Sequence, residues 1–163
     1  MTHDRLHQVE KNLNRLREQL AGKEDTLVTI APEEKVRIKQ QIDQLKADIK
    51  PFEIEYWQIL ANESAVTPIA EPQAEVIVAE IVESVGRLEV QQDYSAEIMQ
   101  VLVELRNKLN QPQTPAAIKV KWVLSAIPPF VSLATEGELD VEKFWQTNFP
   151  TFRNWSKVLA KKL

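Results

Sequence analysis

The sequence predicts an all-α protein in which a long antiparallel helical hairpin, a coiled-coil arm, precedes a small C-terminal helical bundle. Two apolar series, in residues 6–30 and 38–59, repeat at the three-four spacing of a coiled coil. Their phase changes across Ala31-Pro32, and a proline at a phase change indicates a turn between helices. Only three glycines occur in 163 residues, which disfavours β folds rich in hairpins. We therefore expect two paired helices followed by further helices.

The two apolar series also predict how the helices of the hairpin face each other. In an antiparallel pair with its turn near Pro32, the facing residue numbers sum to 65. Gly22 and Lys23 interrupt the first series, so a bend or an early end at Ala21 is the alternative to one continuous helix. Pro51 is expected to kink the second helix without ending it. The predicted pairs are Leu6 with Ile59, Val9 with Tyr56, Leu13 with Phe52, Leu16 with Ile49, Leu20 with Leu45, and Leu27 with Ile38.

Prolines and capping residues divide the rest of the chain. We assign residues 1–62 to the hairpin, 63–72 to a proline-containing linker and 73–163 to a helical domain. Residues 77–82 are rich in β-branched side chains, so the sequence permits either a helix or a buried strand there. Pro128-Pro129 is expected to break the uncharged segment 122–134. The predicted helix starts are Ser95, Thr114-Pro115, Asp140 and Pro150.

Composition excludes several classes of function. The chain has no cysteine, which rules out disulfides, thiolate metal sites and a cysteine nucleophile. It contains no glycine-rich phosphate-binding motif. The net charge is −4, and the basic excess is confined to residues 115–163, so no nucleic-acid partner is expected. The polar N-terminus lacks the pattern of an export leader, which predicts a cytoplasmic protein.

Two sets of side chains are candidates for a site of chemistry. His3 and His7 have a chelating spacing, but the sequence offers no third ligand near them. Four carboxylates alternate in residues 136–142, yet a solvated loop that leads into a capped helix shows the same pattern. We therefore predict a protein that is not an enzyme, with no catalytic residue, no cofactor and no metal site. An enzyme with a metal site on these carboxylates is the second alternative. The four carboxylates are Glu136, Glu138, Asp140 and Glu142.

The apolar surface of the second helix broadens beyond Pro51, more than one helix pair can cover. We predict that Tyr56, Trp57 and Leu60 there form a partner-binding anchor, for a protein partner or a second copy of the chain. The equal alternative is that these residues cover the chain's own C-terminal core. The predicted function is thus an adaptor or oligomerisation module. Its alternative is a membrane-associating effector that inserts segment 122–134 beside the basic C-terminus, although this segment is too short to span a bilayer.

Two stretches, together about a third of the chain, carry recognisable motifs. The motif residues of the first are Glu34, Lys35, Ile38, Ile42, Lys50, Pro51, Glu55, Tyr56 and Trp57. Those of the second are Lys121, Leu124, Ile127, Pro128, Phe130, Glu136, Glu138, Leu139 and Asp140. The first stretch resembles a coiled-coil segment that recurs in large cyanobacterial proteins, and the second resembles a segment that accompanies NACHT-type NTPases and pentapeptide-repeat proteins of the same bacteria. This resemblance implies an effector-associated adaptor module of a bacterial signalling or conflict system.

Overall fold

The computed structural model describes residues 2–136 and 139–163, and these two ranges are helical without any strand. The all-α fold class is therefore confirmed, and residues 77–82 belong to a helix. The elements of the described ranges are α1 (Thr2–Thr29), a short 3₁₀ helix (Pro32–Glu34), α2 (Lys35–Ser64), α3 (Glu71–Gln91), α4 (Ala96–Leu109), α5 (Ala116–Glu136), α6 (Val141–Asn148) and α7 (Pro150–Lys162).

Helices α1 and α2 pack against each other. At their shared base, Arg5 near the start of α1 donates to Glu55 in the second half of α2, with Nη2 and Oε1 2.6 Å apart. Helix α1 continues through Gly22 to Thr29, so it does not end at Ala21. Helix α2 continues through Pro51, as the unbroken apolar phase predicts.

Helix α5 is the central element, because it packs against α2, α3, α4 and α6. The expectation that Pro128-Pro129 breaks this segment was wrong, since α5 runs through both prolines to Glu136. Each proline removes one backbone donor, so two intrahelical hydrogen bonds are lost. Ile127 and Phe130, on either side of the prolines, are buried among the neighbouring helices. This packing on several sides holds the helical path despite the lost bonds.

The connection between α2 and α3 is shorter than the predicted linker 63–72. Helix α2 extends to Ser64 and α3 begins at Glu71, which leaves residues 65–70 between them. Pro72 accounts for the difference, because a proline in the first helical turn starts a helix without losing an internal hydrogen bond. One apolar core joins the two sides of this connection, with residues from the base of α1 and α2 packed among those of α3 to α7.

The ends of the shorter helices follow the sequence signals. Ser95 Oγ accepts from the backbone N–H of Ile98 at 3.3 Å, and Asp140 Oδ1 accepts from that of Lys143 at 3.1 Å. Pro150 is the first residue of α7. These three predicted helix starts are therefore confirmed.

Helix α3 also caps two other helices with its carboxylates. Glu71 accepts from the backbone N–H groups of Ala116 and Ala117 at 3.1 and 3.0 Å, at the start of α5. Glu80 accepts from that of Thr151 at 3.0 Å, at the start of α7. A carboxylate at a helix N-terminus satisfies otherwise unpaired N–H groups and complements the helix dipole. Both caps fix the orientation of α5 and α7 relative to α3.

Candidate functional site

The three residues predicted to anchor a partner lie in the core of the chain itself. Tyr56, Trp57 and Leu60 are 4, 2 and 0% exposed. The Trp57 ring stacks on Phe152 at a centroid distance of 5.8 Å and meets Trp145 edge-on at 6.1 Å. This burial matches the alternative in which they cover the chain's own C-terminal core. A partner would reach them only if α6 and α7 moved away, so partner binding by these three residues stays a prediction.

A cleft with a volume of about 390 Å³ lies beside this aromatic cluster, between the α1–α2 pair and helices α6 and α7. We call it the polar cleft, because charged side chains from all four helices line it. Tyr56 and Trp57 contribute to its wall as well. The charged residues that line the polar cleft are Glu10, Arg17, Glu53, Glu142, Arg153, Lys157 and Lys161.

Arg153 of α7 is the most heavily bonded side chain of the polar cleft. Its Nε lies 3.0 Å from both carboxylate oxygens of Glu142, and its Nη1 donates to the hydroxyl groups of Tyr56 and Ser156 at 3.2 and 3.1 Å. The guanidinium also lies over the ring of Trp57, 5.1 Å from its centroid. Burial would lower the pKa of Arg153, but Tyr56 and Glu142 outweigh it and raise that pKa above its usual value. Arg153 therefore stays charged and ties α7 to α2 and α6.

Glu53 of α2 is a second buried charge in the polar cleft, and it is 5% exposed. Burial raises the pKa of Glu53 above the usual glutamate value, and the carboxylates of Glu142 and Asp140 raise it further. The guanidinium of Arg17, whose Nη2 donates to Glu53 Oε1 at 2.8 Å, opposes this shift without cancelling it. Glu53 thus takes up a proton more readily than a solvated glutamate does.

The carboxylates of residues 136–142 do not form a metal site within the described part of the chain. Asp140 caps α6, and Glu142 is bonded to Arg153. Glu138 lies outside the described residues. No group of three or more histidine, aspartate or glutamate side chains suited to a metal ion occurs in residues 2–136 and 139–163. His3 and His7 contact each other edge-on, with ring centroids 4.7 Å apart.

Helix α5 contains the segment considered for membrane insertion. Over its 21 residues it is long and apolar enough to cross a bilayer, and core helices of soluble proteins pass the same test. Val123, Leu124, Ile127, Phe130 and Val131 of this segment are buried in the core of the chain. Insertion would require these side chains to leave that core, so membrane insertion stays an alternative that the fold does not favour.

The far end of the α1–α2 pair has a different surface. We call residues 18–29 of α1 and 35–46 of α2 the outer arm. Within it, only Ile38 and Ile42 are buried among the described side chains, and Leu20 and Leu27 are half-buried. Its α1 segment carries three acidic residues and one basic residue, whereas its α2 segment carries four basic residues and one acidic residue. The two helices of the outer arm therefore have opposite net charge.

Sequence reasoning missed the polar cleft. The heptad positions placed Tyr56 and Trp57 on the apolar face, but no local pattern connects Glu53 with Glu142 and Arg153, because Glu53 is far from both along the chain. One usable signal was present: Glu53 lies within the apolar part of α2, and a charged residue there indicates a buried polar partner.

Comparison with known proteins adds no relative: no family model, no curated protein and no solved structure matches the chain. The resemblance to segments found with NACHT-type NTPases and pentapeptide-repeat proteins therefore stays a prediction.

Proposed function

We propose that the protein is a non-enzymatic association module that forms a dimer with a second copy of itself through the outer arm. The observation that carries this proposal is the opposite net charge of the two outer-arm helices, −2 for residues 18–29 and +3 for residues 35–46. The charged side chains responsible are exposed apart from Lys23, which is half-buried. They are therefore accessible to a partner, and Arg37 is also paired with Glu34 of its own chain.

A second copy fits this charge distribution because of symmetry. In a twofold dimer, each surface patch meets its counterpart in the other copy, so a contact between α1 and α2 occurs twice. If α1 of one copy lies beside α2 of the other, an acidic helix faces a basic helix at both contacts. Such complementarity steers association and selects the orientation of the copies.

The apolar surface of the outer arm supports the same proposal. A helix pair with only two buried side chains, Ile38 and Ile42, gains little stability from burial. Val28 and Val36 are 82 and 65% exposed near its tip. A second pair laid against the first makes a four-helix layer that covers the edges of Leu20 and Leu27. We favour self-association over docking to a larger effector, because both complementary surfaces occur in this chain.

The proposal includes coiled-coil packing between α1 and α2 in the predicted register. Two ion pairs between the helices support this register. Arg5 with Glu55 and Arg17 with Glu53 give residue sums of 60 and 70, on either side of the predicted 65. Long arginine side chains reach more than one turn along a partner helix, so both pairs are compatible with one alignment.

Charge reversal tests the dimer directly. Glu18 and Asp25 lie seven residues apart on one face of α1, and Lys39 and Lys46 lie seven apart on one face of α2. The acidic variant Lys39→Glu/Lys46→Glu and the basic variant Glu18→Lys/Asp25→Lys each place like charges at both proposed contacts. Light scattering should give twice the 18.7 kDa chain mass for the unmodified chain. It should give the single chain mass for either variant alone and the doubled mass again for their equimolar mixture.

The control variant Lys143→Glu/Lys162→Glu changes the same number of exposed charges on α6 and α7, and it should stay dimeric. In the predicted register Glu18 lies near Lys46 and Asp25 near Lys39 of the same chain, so circular dichroism and thermal unfolding of each variant check that the α1–α2 pair itself is kept. An unmodified chain that keeps the single mass at all concentrations would contradict the proposal. So would a mixture of the two variants that stays at the single mass.

A further inference from the structure

The polar cleft has the dimensions and the lining of a small-ligand site. Its volume of about 390 Å³ falls in the usual range for ligand pockets, roughly 300–1,000 Å³. Its wall combines aromatic surface from Tyr56 and Trp57 with a few charged groups that converge from four helices. The cleft is separate from the outer arm, so an inference about it does not depend on the proposed dimer.

The hydrogen bonds within the polar cleft leave donors unused. Arg153 is 6% exposed, and its Nε and Nη1 are bonded to Glu142, Tyr56 and Ser156. None of the hydrogen bonds among the described residues uses its Nη2. The Tyr56 hydroxyl accepts from Arg153, and among the described side chains no acceptor takes its own hydrogen. Nη2 is not one of the buried unpartnered atoms of the described residues, so its two N–H groups face the open space of the cleft, where an acceptor can reach them.

Two of the three carboxylates of the cleft, Glu142 and Glu53, are already engaged by its cations. Glu142 Oε1 is shared between Arg153 Nε and Lys157 Nζ, at 3.0 and 3.9 Å, and Glu53 is bonded to Arg17. Four cationic side chains line the cleft against three carboxylates, of which Glu10 makes no ion pair among the described residues. The lining therefore keeps unused donors and one excess positive charge, and an anion satisfies both.

We propose that the polar cleft binds a small molecule through an oxyanion, a carboxylate or phosphate group, placed against Arg153 Nη2 and the Tyr56 hydroxyl. Guanidinium groups match such oxyanions because their N–H groups form a planar fork. Lys157 and Lys161 add long-range attraction. The aromatic wall beside them contacts the apolar part of the molecule. A ligand in this place bridges α1 to α7 and so holds the base of the α1–α2 pair against the core.

Titration with two probes, citrate and inorganic phosphate, tests the site. Amide nitrogen–proton spectra of the full chain are recorded as each probe is added, with sodium chloride at matched ionic strength as the reference. We expect saturable shifts confined to the lining of the cleft on α1, α2, α6 and α7 with at least one probe. Saturation by citrate alone assigns the site to carboxylates, and saturation by phosphate alone assigns it to phosphorylated molecules. Shifts that grow linearly, that spread over surface lysines or that sodium chloride reproduces would overturn the proposal.

A matched pair of lysine variants distinguishes binding in the cleft from a general effect of positive charge on the probe. Lys157→Gln/Lys161→Gln removes two cations of the cleft, and Lys143→Gln/Lys162→Gln removes two exposed cations of α6 and α7 outside it. All four positions are exposed, so both variants should fold. The first variant should raise the Kd of the probe about fivefold, as expected for two partly screened charges. The second should leave it unchanged, and an equal loss in both variants would contradict a defined site.

Discussion

The base of the α1–α2 pair and its outer arm belong to the same two helices, yet they differ in what surrounds them. At the base, α2 buries Ile49, Tyr56, Trp57 and Leu60 in a core shared with α3 to α7. In the outer arm, α2 buries only Ile38 and Ile42 among the described residues, against α1. The same apolar repeat is therefore buried in a core of several helices at the base. In the outer arm it buries few side chains, and the two helices there carry exposed charges. The number of neighbouring helices, rather than the repeat itself, decides how much each region contributes to stability.

The largest effect should come from opening the core at the base. Phe152 is fully buried and stacks on Trp57, so Phe152→Ala should lower the free energy of unfolding by about 3–5 kcal/mol. Leu20→Ala in the outer arm should cost less than about 2 kcal/mol, because Leu20 is only half-buried. Urea unfolding followed by circular dichroism, at a protein concentration below the dimer range, measures both. Equal losses would mean that the two regions do not differ in packing.

The pH dependence of stability should distinguish two carboxylates of α2 at the base. The folded chain raises the pKa of Glu53, mainly by burial, so it binds a proton more strongly there than the unfolded chain does. Glu53 therefore makes stability fall as pH rises from the usual glutamate range through the raised folded-state value. The hydrogen bond from Arg5 lowers the pKa of Glu55, so Glu55 makes stability rise with pH below and through the usual range.

Two matched variants test this contrast. Relative to the unmodified chain, Glu53→Gln should gain stability as pH rises, because glutamine carries no proton to lose. Glu55→Gln should lose stability as pH rises, by a smaller amount, because Glu55 and Arg5 are partly solvated. Urea unfolding at several pH values from about 3 to about 8, which extends below and above the usual glutamate range, measures both trends. If the free energy of unfolding changed with pH in the same way in both variants, this would contradict the opposite pKa shifts of Glu53 and Glu55.

The smallest effect on stability should come from replacing Gly22, the glycine inside α1. A Cβ atom added at Gly22 meets no atom within 4 Å, and Gly22 has helical backbone within α1. Gly22→Ala should therefore raise the free energy of unfolding by about 0.5–1 kcal/mol, through the backbone entropy that glycine loses on folding. The thermal midpoint of unfolding, compared with that of the unmodified chain, measures the gain. A loss of stability would indicate that the outer arm needs flexibility at this position.

Sequence patterns predicted those parts of the fold that depend on neighbours along the chain. The apolar repeats gave the helical class, and single residues such as Ser95, Asp140 and Pro150 marked helix starts. The patterns failed where distant residues decide the outcome. Pro128-Pro129 has the sequence of a helix break, but packing around α5 overrides it.

The candidate site was less predictable than the fold, for the same reason. The hydrogen bond from Arg153 to Tyr56 joins α7 to α2, helices that are distant along the chain, and the ion pair of Arg153 with Glu142 joins α7 to α6 across the turn between them. The periodicity of one helix gives the face on which Tyr56 lies, but not which helix covers that face. The sequence therefore left a partner and the chain's own core as equal candidates for the neighbour of Tyr56.

Concentration-dependent amide hydrogen exchange tests most directly whether the outer arm, and not the base, is the surface that associates. Dimer formation should slow the exchange of amides in residues 35–46 as the protein concentration rises through the range in which the mass doubles. Amides of α5 at the base should exchange at the same rate throughout, because their surroundings do not change. Exchange in the outer arm that is independent of concentration, or slowing confined to α5, would contradict the account.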